Sequence, residues 1–402
     1  MKYKLMLSTL LVLFLAIVPN AFASSNWYVD GMHGNDGNDC RSFQLACKTI
    51  GHAITLASSG DSILVATATY GENLTISFNL NVTGYGSSAA GPVVIDGGAR
   101  NTVITISNTG AQVTLSNLTI QNGAGQINGG GVNNAGTLTI FNSIILANTT
   151  GVSGNGGGIN NTGTLTINSS NILYNSASSG GGGISGPGTL TINNSSVSGN
   201  SAANGGGIYG AGTLTIITSA IWGNSASNGG GIGDAGLGGT ATIVNSTIYG
   251  NSGSNGGGIY NTSRTLSISN GSFGLNSGFV GANFYNTGPT ATFQNSIVGS
   301  PSGGPNCSGA ITSNGYNLSS DDTCSFHSIG DLINTDSKLA YIHNNGGPTW
   351  TMAEEAGSPA INAGNPSGCT DGSGRLLTTD QRGYPRPGRG SNRCDMGAYE
   401  LQ

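Results

Sequence analysis

The chain has 402 residues, 71 of them glycine, and only 7% are Asp, Glu, Lys or Arg. Its formal net charge of −5 removes the electrostatic basis for binding nucleic acid or anionic membrane. So much Gly, Asn and Thr also excludes a helical architecture.

Residues 1–23 read as a secretory signal peptide. Lys2 and Lys4 precede the apolar run Leu5 to Val18, and Ala21-Phe22-Ala23 is a small-x-small cleavage site. The run is short for a membrane anchor. Removing it leaves ten basic against 17 acidic residues, a net charge of −7. The mature protein is expected to be soluble, secreted and monomeric. Six cysteines fit an oxidising compartment and fall into three close couples. They predict the disulfides Cys40–Cys47, Cys307–Cys324 and Cys369–Cys394, although other connectivities are open. Zinc is disfavoured, because no Cys-x-x-Cys occurs.

Residues 24–60 form an N-terminal unit. Asn26 to Asp30 reads as a first strand. In the loop to Asp39, the carboxylates Asp30, Asp36 and Asp39 either close a tight turn or hold calcium. The EF-hand order with its terminal Glu is missing, and no metal or cofactor is assigned. Thr49 to Ser58 predicts a helix with Ile50, Ala53, Ile54 and Ala57 on one face and Gly60 after it. Such a helix suits the covering of an open apolar end. His52 reads as a surface residue.

Residues 61–300 are dominated by a repeat. After irregular strands between Ser62 and Ile120, Gly-Gly-Gly-Val132 opens a series continued by Gly-Gly-Gly-Ile ending at Ile159, Ile184, Ile208, Ile232 and Ile259. The steps are 24 to 27 residues. Gly-Thr-Leu-Thr-Ile ends at Ile140, Ile167, Ile192 and Ile216. With the apolar residues alternating in a period of two, each copy is one coil of about three strands. The whole is an all-β parallel β-solenoid of about nine or ten coils, its Leu and Ile stacked inside. Asn148, Asn175, Asn200, Asn224, Asn251 and Asn276 fall at one corner, where stacked amides form a ladder. The Thr-x-Thr pairs from Thr137/Thr139 through Thr164/Thr166, Thr189/Thr191, Thr213/Thr215 and Thr240/Thr242 to Thr290/Thr292 predict a flat outward array. Its spacing is about 7 Å along a strand and about 4.8 Å between coils.

These Gly-Gly-Gly-Ile repeats resemble the right-handed parallel β-helix (pectin-lyase-like) fold, and repeats of the polymorphic outer membrane protein type in particular. Cys47-Lys48-Thr49-Ile50 resembles the N-terminal cap of such proteins. In residues 301–402 the coils give way to a loop-rich region. Three motifs there, Asn344 to Thr349, Gly357 to Gly364, and Asp380 to Pro387 leading to Cys394 to Glu400, resemble the choice-of-anchor Q domain of bacterial surface proteins. Asn362 stands where that family usually has Asp. No sorting signal, transmembrane helix or barrel pattern follows, so attachment to a surface is not assigned.

Polysaccharide lyases and hydrolases share the resembled fold, and they need clustered carboxylates, calcium or a base. Between Gly97 and Ser320 the chain offers only Asp234, Arg100 and Arg264, and no His. No catalytic residue is assigned. Asp380, Arg382, Arg386, Asp395 and Glu400 read either as an acid–base group or as ion pairs fixing a C-terminal cap. Tyr209, Trp222, Tyr249 and Tyr260 are candidates for stacking on sugars. The expected function is a secreted or cell-surface, non-enzymatic binding or adhesion protein contacting polysaccharide or another surface. A polysaccharide lyase or glycoside hydrolase is the alternative. Ice binding on the Thr face is a second alternative, by resemblance to small β-solenoid antifreeze proteins.

Overall fold

The computed structural model describes residues 24–402 except 87–90, Thr290 and Arg389. The expected signal peptide and the Thr290 position therefore lie outside the described residues. From Asn26 to Ser319 the chain winds as a three-faced parallel solenoid. Sheet A has twelve strands, from Asn26–Val29 to Thr312–Ser313, and contains the Thr-Leu-Thr-Ile segments. Sheet B has eleven, from Thr69–Gly71 to Leu318–Ser319. Sheet C has ten, from Leu74–Ile76 to Cys307–Gly309, and takes the residues after each Gly triplet. Each coil visits A, B and C in turn, which gives about ten coils, within the expected nine or ten.

Register follows the repeat. Leu138, Leu165, Leu190 and Leu214 form one buried column of sheet A, and Ile140, Ile167, Ile192 and Ile216 another. Thr at alternate positions faces out. Parallel strands are stable here because one continuous apolar core runs through all coils.

Two corners carry polar ladders. Where B turns toward C, the predicted Asn series is buried and continuous. Asn148 donates to Asn175, Asn175 to Asn200, and so on to Asn276, with amide contacts of 2.9–3.0 Å. The ladder ends through Asn283 and Asn306. Where A turns into B, left-handed residues such as Asn142, Asn194 and Asn245 precede a serine ladder that the repeat did not announce. Ser170 Oγ accepts from Ser143 N and Ser195 Oγ from Ser170 N, both at 3.0 Å. The Gly triplets are needed for close approach: a side chain at Gly183 would meet Gly207 O at 2.6 Å.

Both ends are covered. The helix spans Ile50–Leu56, shorter than expected, with Thr49 as N-cap and Ala57 as C-cap. It buries Ile50, Ala53 and Ile54, and Glu72 accepts from the backbone of Ile50 and Gly51. At the other end Phe326 packs on Phe293, with ring centroids 5.6 Å apart. All three predicted disulfides form. Asp30, Asp36 and Asp39 are spent on backbone N–H groups of Met32 and His33, Lys48 and Thr49, and Arg41 respectively. That is the tight-loop arrangement.

Residues 337–402 do more than cap the last coil. They run back along the solenoid against sheet B and the A–B corner. Thr349 Oγ1 reaches Thr218 O, Gln381 reaches Thr247, and Arg386 reaches Asn245 and Asn270. We call this segment the C-terminal arm.

Candidate functional site

Arg100 is exposed, but the other two charged residues between Gly97 and Ser320 are turned inward. Asp234 and Arg264 are both buried, with Arg264 Nε 3.7 Å from Asp234 Oδ1. Burial opposes the charge on Asp234, but hydrogen bonds from Ser263 and the Arg264 guanidinium outweigh it and hold the carboxyl low. Burial also lowers Arg264 from its ordinary value. The arginine lies beside Leu214, Ala241 and Leu266. Ala241 interrupts the Leu column and makes the room it occupies.

Four charged residues of the arm are likewise buried in ion pairs. Arg382 pairs with Asp380 at 2.7 Å and Arg386 with Glu400 at 3.0 Å, all with buried side chains. Arg386 also donates to the Asn245 and Asn270 side chains and to the Gly397 and Tyr399 carbonyls. The arginine thus reads the left-handed Asn corner and fastens the arm to it. Asp395 accepts from the backbone of Asn362 and Leu401. Of the two readings of this group, the geometry is that of a latch. Beside it Glu354 is buried with no hydrogen-bond partner on either oxygen. Desolvation first, then the Asp395 charge, pushes its carboxyl well above the usual range.

The open chemistry lies between the arm and sheet B. A cleft of about 430 Å³ is lined by Tyr249, Phe273 and Leu275 from the coils and by Leu339, Tyr341, His343, Met352 and Glu355 from the arm. Tyr341 is 74% exposed. His343 Nδ1 lies 2.9 Å from Tyr341 O. Burial raises the Tyr249 phenol. One coil earlier in the same column, Trp222 stacks on Trp350 at 5.2 Å and 12°, while its Nε1 donates to Ser196 Oγ at 3.0 Å. A half-open apolar cleft flanked by aromatic rings, with an imidazole and a carboxylate in its wall, has the makeup of a small-ligand or sugar site.

The four aromatic residues named from sequence therefore divide in two. Trp222 and Tyr249 are neighbours on sheet B beside the cleft, whereas Tyr209 and Tyr260 lie on sheet C. Sequence reasoning missed Tyr341, His343, Trp350, Met352 and Glu355, which reach the site only because the arm folds back. Their one available signal was that Tyr341 and Trp350 flank the Asn344 to Thr349 motif. On sheet A the Thr pairs stack in register from Thr137 to Thr240, continuing to Thr265 and Ser267. Exposed Phe141 and Ile217 interrupt the edge of that array.

No family model matches the chain, and no curated protein sequence does. Among solved structures it is similar to pectate lyase Pel9A, at 16% identity and a TM-score of 0.55, over 95% of this chain and 98% of that one. It is also similar to XylC in complex with xylose, at 9% identity and a TM-score of 0.51, over 94% and 98%. At such identities the likeness is one of fold: this chain is a right-handed parallel β-helix of the pectin-lyase-like kind. No helix among the described residues is long and apolar enough to cross a membrane.

Proposed function

We infer that the protein is an extracellular, non-enzymatic polysaccharide-binding protein that engages sugars in the cleft under the C-terminal arm. The observation that carries this reading is that Tyr249 and Tyr341 line one open cleft, with the Trp222–Trp350 stack one coil away on the same outward column. Aromatic faces bind the apolar faces of sugars through stacking and burial. Three disulfides suit an oxidising environment outside the cell. The resemblance of residues 339–400 to choice-of-anchor Q domains, and of the coils to polymorphic outer membrane protein repeats, fits a role at a bacterial surface.

A lyase or hydrolase is the second reading, favoured by His343 and Glu355 in the wall of the same cleft. The in-register Thr columns favour ice binding as a third, which a freezing-hysteresis measurement tests. The deciding experiment is co-sedimentation with a panel of insoluble polysaccharides, with calcium, measuring new reducing ends in the same tubes. Binding without product, weakened by Trp350→Ala, is the expected result. Product release abolished by His343→Ala or Glu355→Gln would transfer the site to an enzyme, and failure to bind any polymer would overturn both sugar readings.

A further inference from the structure

A break in a repeat marks a place where a coil meets something other than its neighbours. On sheet B one outward column reads Ser198, Trp222, Tyr249 and Gly274 in successive coils. The arm accounts for these changes. Trp222 stacks on Trp350, Tyr249 lines the cleft, and a side chain at Gly274 would lie 2.8 Å from Met352 Sδ.

Sheet C has a second broken column, reading Ser185, Tyr209, Gly233, Tyr260, Tyr285 and Ser308. The arm's hydrogen bonds go to sheet B and the A–B corner, so it does not explain this one. Ile208, Ile259 and Phe284, one position earlier, are buried, and the three phenols project outward and stay part-exposed. The Tyr260 and Tyr285 rings stack at 5.3 Å and 15°. Tyr209 lies over Gly180, where a side chain would collide with its ring. Gly233 leaves the intervening coil bare, so Tyr209 and Tyr260 stand two coil steps apart along the axis, about 9.6 Å. That is close to the advance of a disaccharide unit in an extended β-linked polymer. The fold does not require aromatics here, since Ser185 and Ser308 hold the same position.

We propose that this tyrosine column is a second glycan-binding site, taking a neutral polysaccharide laid along the solenoid axis, and that one molecule thereby bridges two polysaccharide chains. The bridging half rests on the cleft reading above, whereas the sheet C site stands without it. Neutrality follows from charge. The nearby Asp234 and Arg264 are buried against each other, so among the described residues neither the column nor its neighbouring turn offers a free cation to a uronate. The net negative charge repels polyanions. Two sites on different faces of a rigid body raise avidity for a multivalent polymer without new contacts.

The test compares the full secreted chain with a sheet C variant (Tyr209→Ser, Tyr260→Ser, Tyr285→Ser) and a cleft variant (Tyr341→Ala, Trp350→Ala). Serine is chosen because neighbouring coils already carry it. Circular dichroism verifies folding. The probes are soluble mixed-linkage β-glucan, xyloglucan and galactomannan, with polygalacturonate as the acidic control. Affinity electrophoresis reads binding and turbidity reads cross-linking. The wild type should bind and cross-link a neutral polymer. The sheet C variant should still bind, with avidity lower by roughly tenfold or more, and should not cross-link. If it cross-links like the wild type, the sheet C site is wrong and the cleft stands. If only the sheet C variant loses binding, the cleft and the bridge are wrong and the column stands. Preference for polygalacturonate, or no binding by the wild type, overturns the proposal.

Discussion

The asparagine ladder makes a quantitative prediction. Asn200 is 1% exposed and sits in mid-array. Its Oδ1 accepts from Asn175 N at 2.9 Å and Asn175 Nδ2 at 3.0 Å, and its Nδ2 donates to Ile172 O and Asn224 Oδ1, both at 3.0 Å. In Asn200→Ala, Asn175 Nδ2 keeps Ile145 O and Asn224 Oδ1 keeps Asn200 N. The backbone N–H of Asn175 keeps nothing. An orphaned buried donor costs about 1–3 kcal/mol and each lost, partly compensated bond about 0.5–1.5. The substitution should therefore destabilise the solenoid by about 3–5 kcal/mol, because the coils on either side prevent the site from fraying into water. Equilibrium urea unfolding measures this, with Thr189→Ala on the outer face as a control expected within about 0.5 kcal/mol. A loss below about 1 kcal/mol, or one equal to the control's, would refute the view that the ladder holds the corner.

Three further outcomes follow from the buried charges and the arm. The unfolded chain ionises Glu354 near its ordinary 4.5 while the fold retains the proton, so wild-type stability should fall as pH rises above that value. The slope is up to about 1.4 kcal/mol per pH unit until the folded carboxyl also ionises. Glu354→Gln should make that slope shallower, leaving the share of Glu72 and Glu400, whose carboxyls burial also raises, and be the more stable protein at neutral pH; identical pH profiles would count against it. Asp234→Ala leaves Arg264 buried without its partner and should cost about 3–5 kcal/mol, whereas Arg264→Met leaves Asp234 with its hydrogen bonds from Thr262 and Ser263 and should cost less; calorimetry that reverses this order would reject the pairing. Replacing Cys369 and Cys394 by Ser opens a loop of separation 25. It should cost about 3 kcal/mol and raise protease cleavage within the arm, while unchanged proteolysis would show that the ion pairs suffice.

The solenoid was legible because each coil repeats one instruction. Leu138 and Ile140 recur with Thr between them, and a parallel sheet is the arrangement that buries every copy against the next. The Asn ladder was equally visible as a series. The serine ladder was not, since Ser143, Ser170 and Ser195 sit in a chain already full of serine and their role depends on the left-handed residue before them. Arg264 was counted in the sequence as one of two cations of the coils, but its inward course depends on Ala241 one coil away, where the column otherwise has leucine.

The site was half legible for a related reason. Residues 337–402 have no period, so nothing in their spacing says where they go. Their contacts join positions such as Asn245 with Arg386 and Trp222 with Trp350, more than a hundred residues apart. What the sequence does carry is the imprint of those contacts on the coils. A column that changes from Leu173 and Ser198 to Trp222, Tyr249 and Gly274 has been shaped by a partner that the repeat itself cannot supply. For sheet B that partner is the arm, and the substitutions follow its path coil by coil. Tyr209, Gly233, Tyr260 and Tyr285 are the same kind of imprint on sheet C. By the same reasoning the column fits a partner outside the described residues, the glycan proposed above.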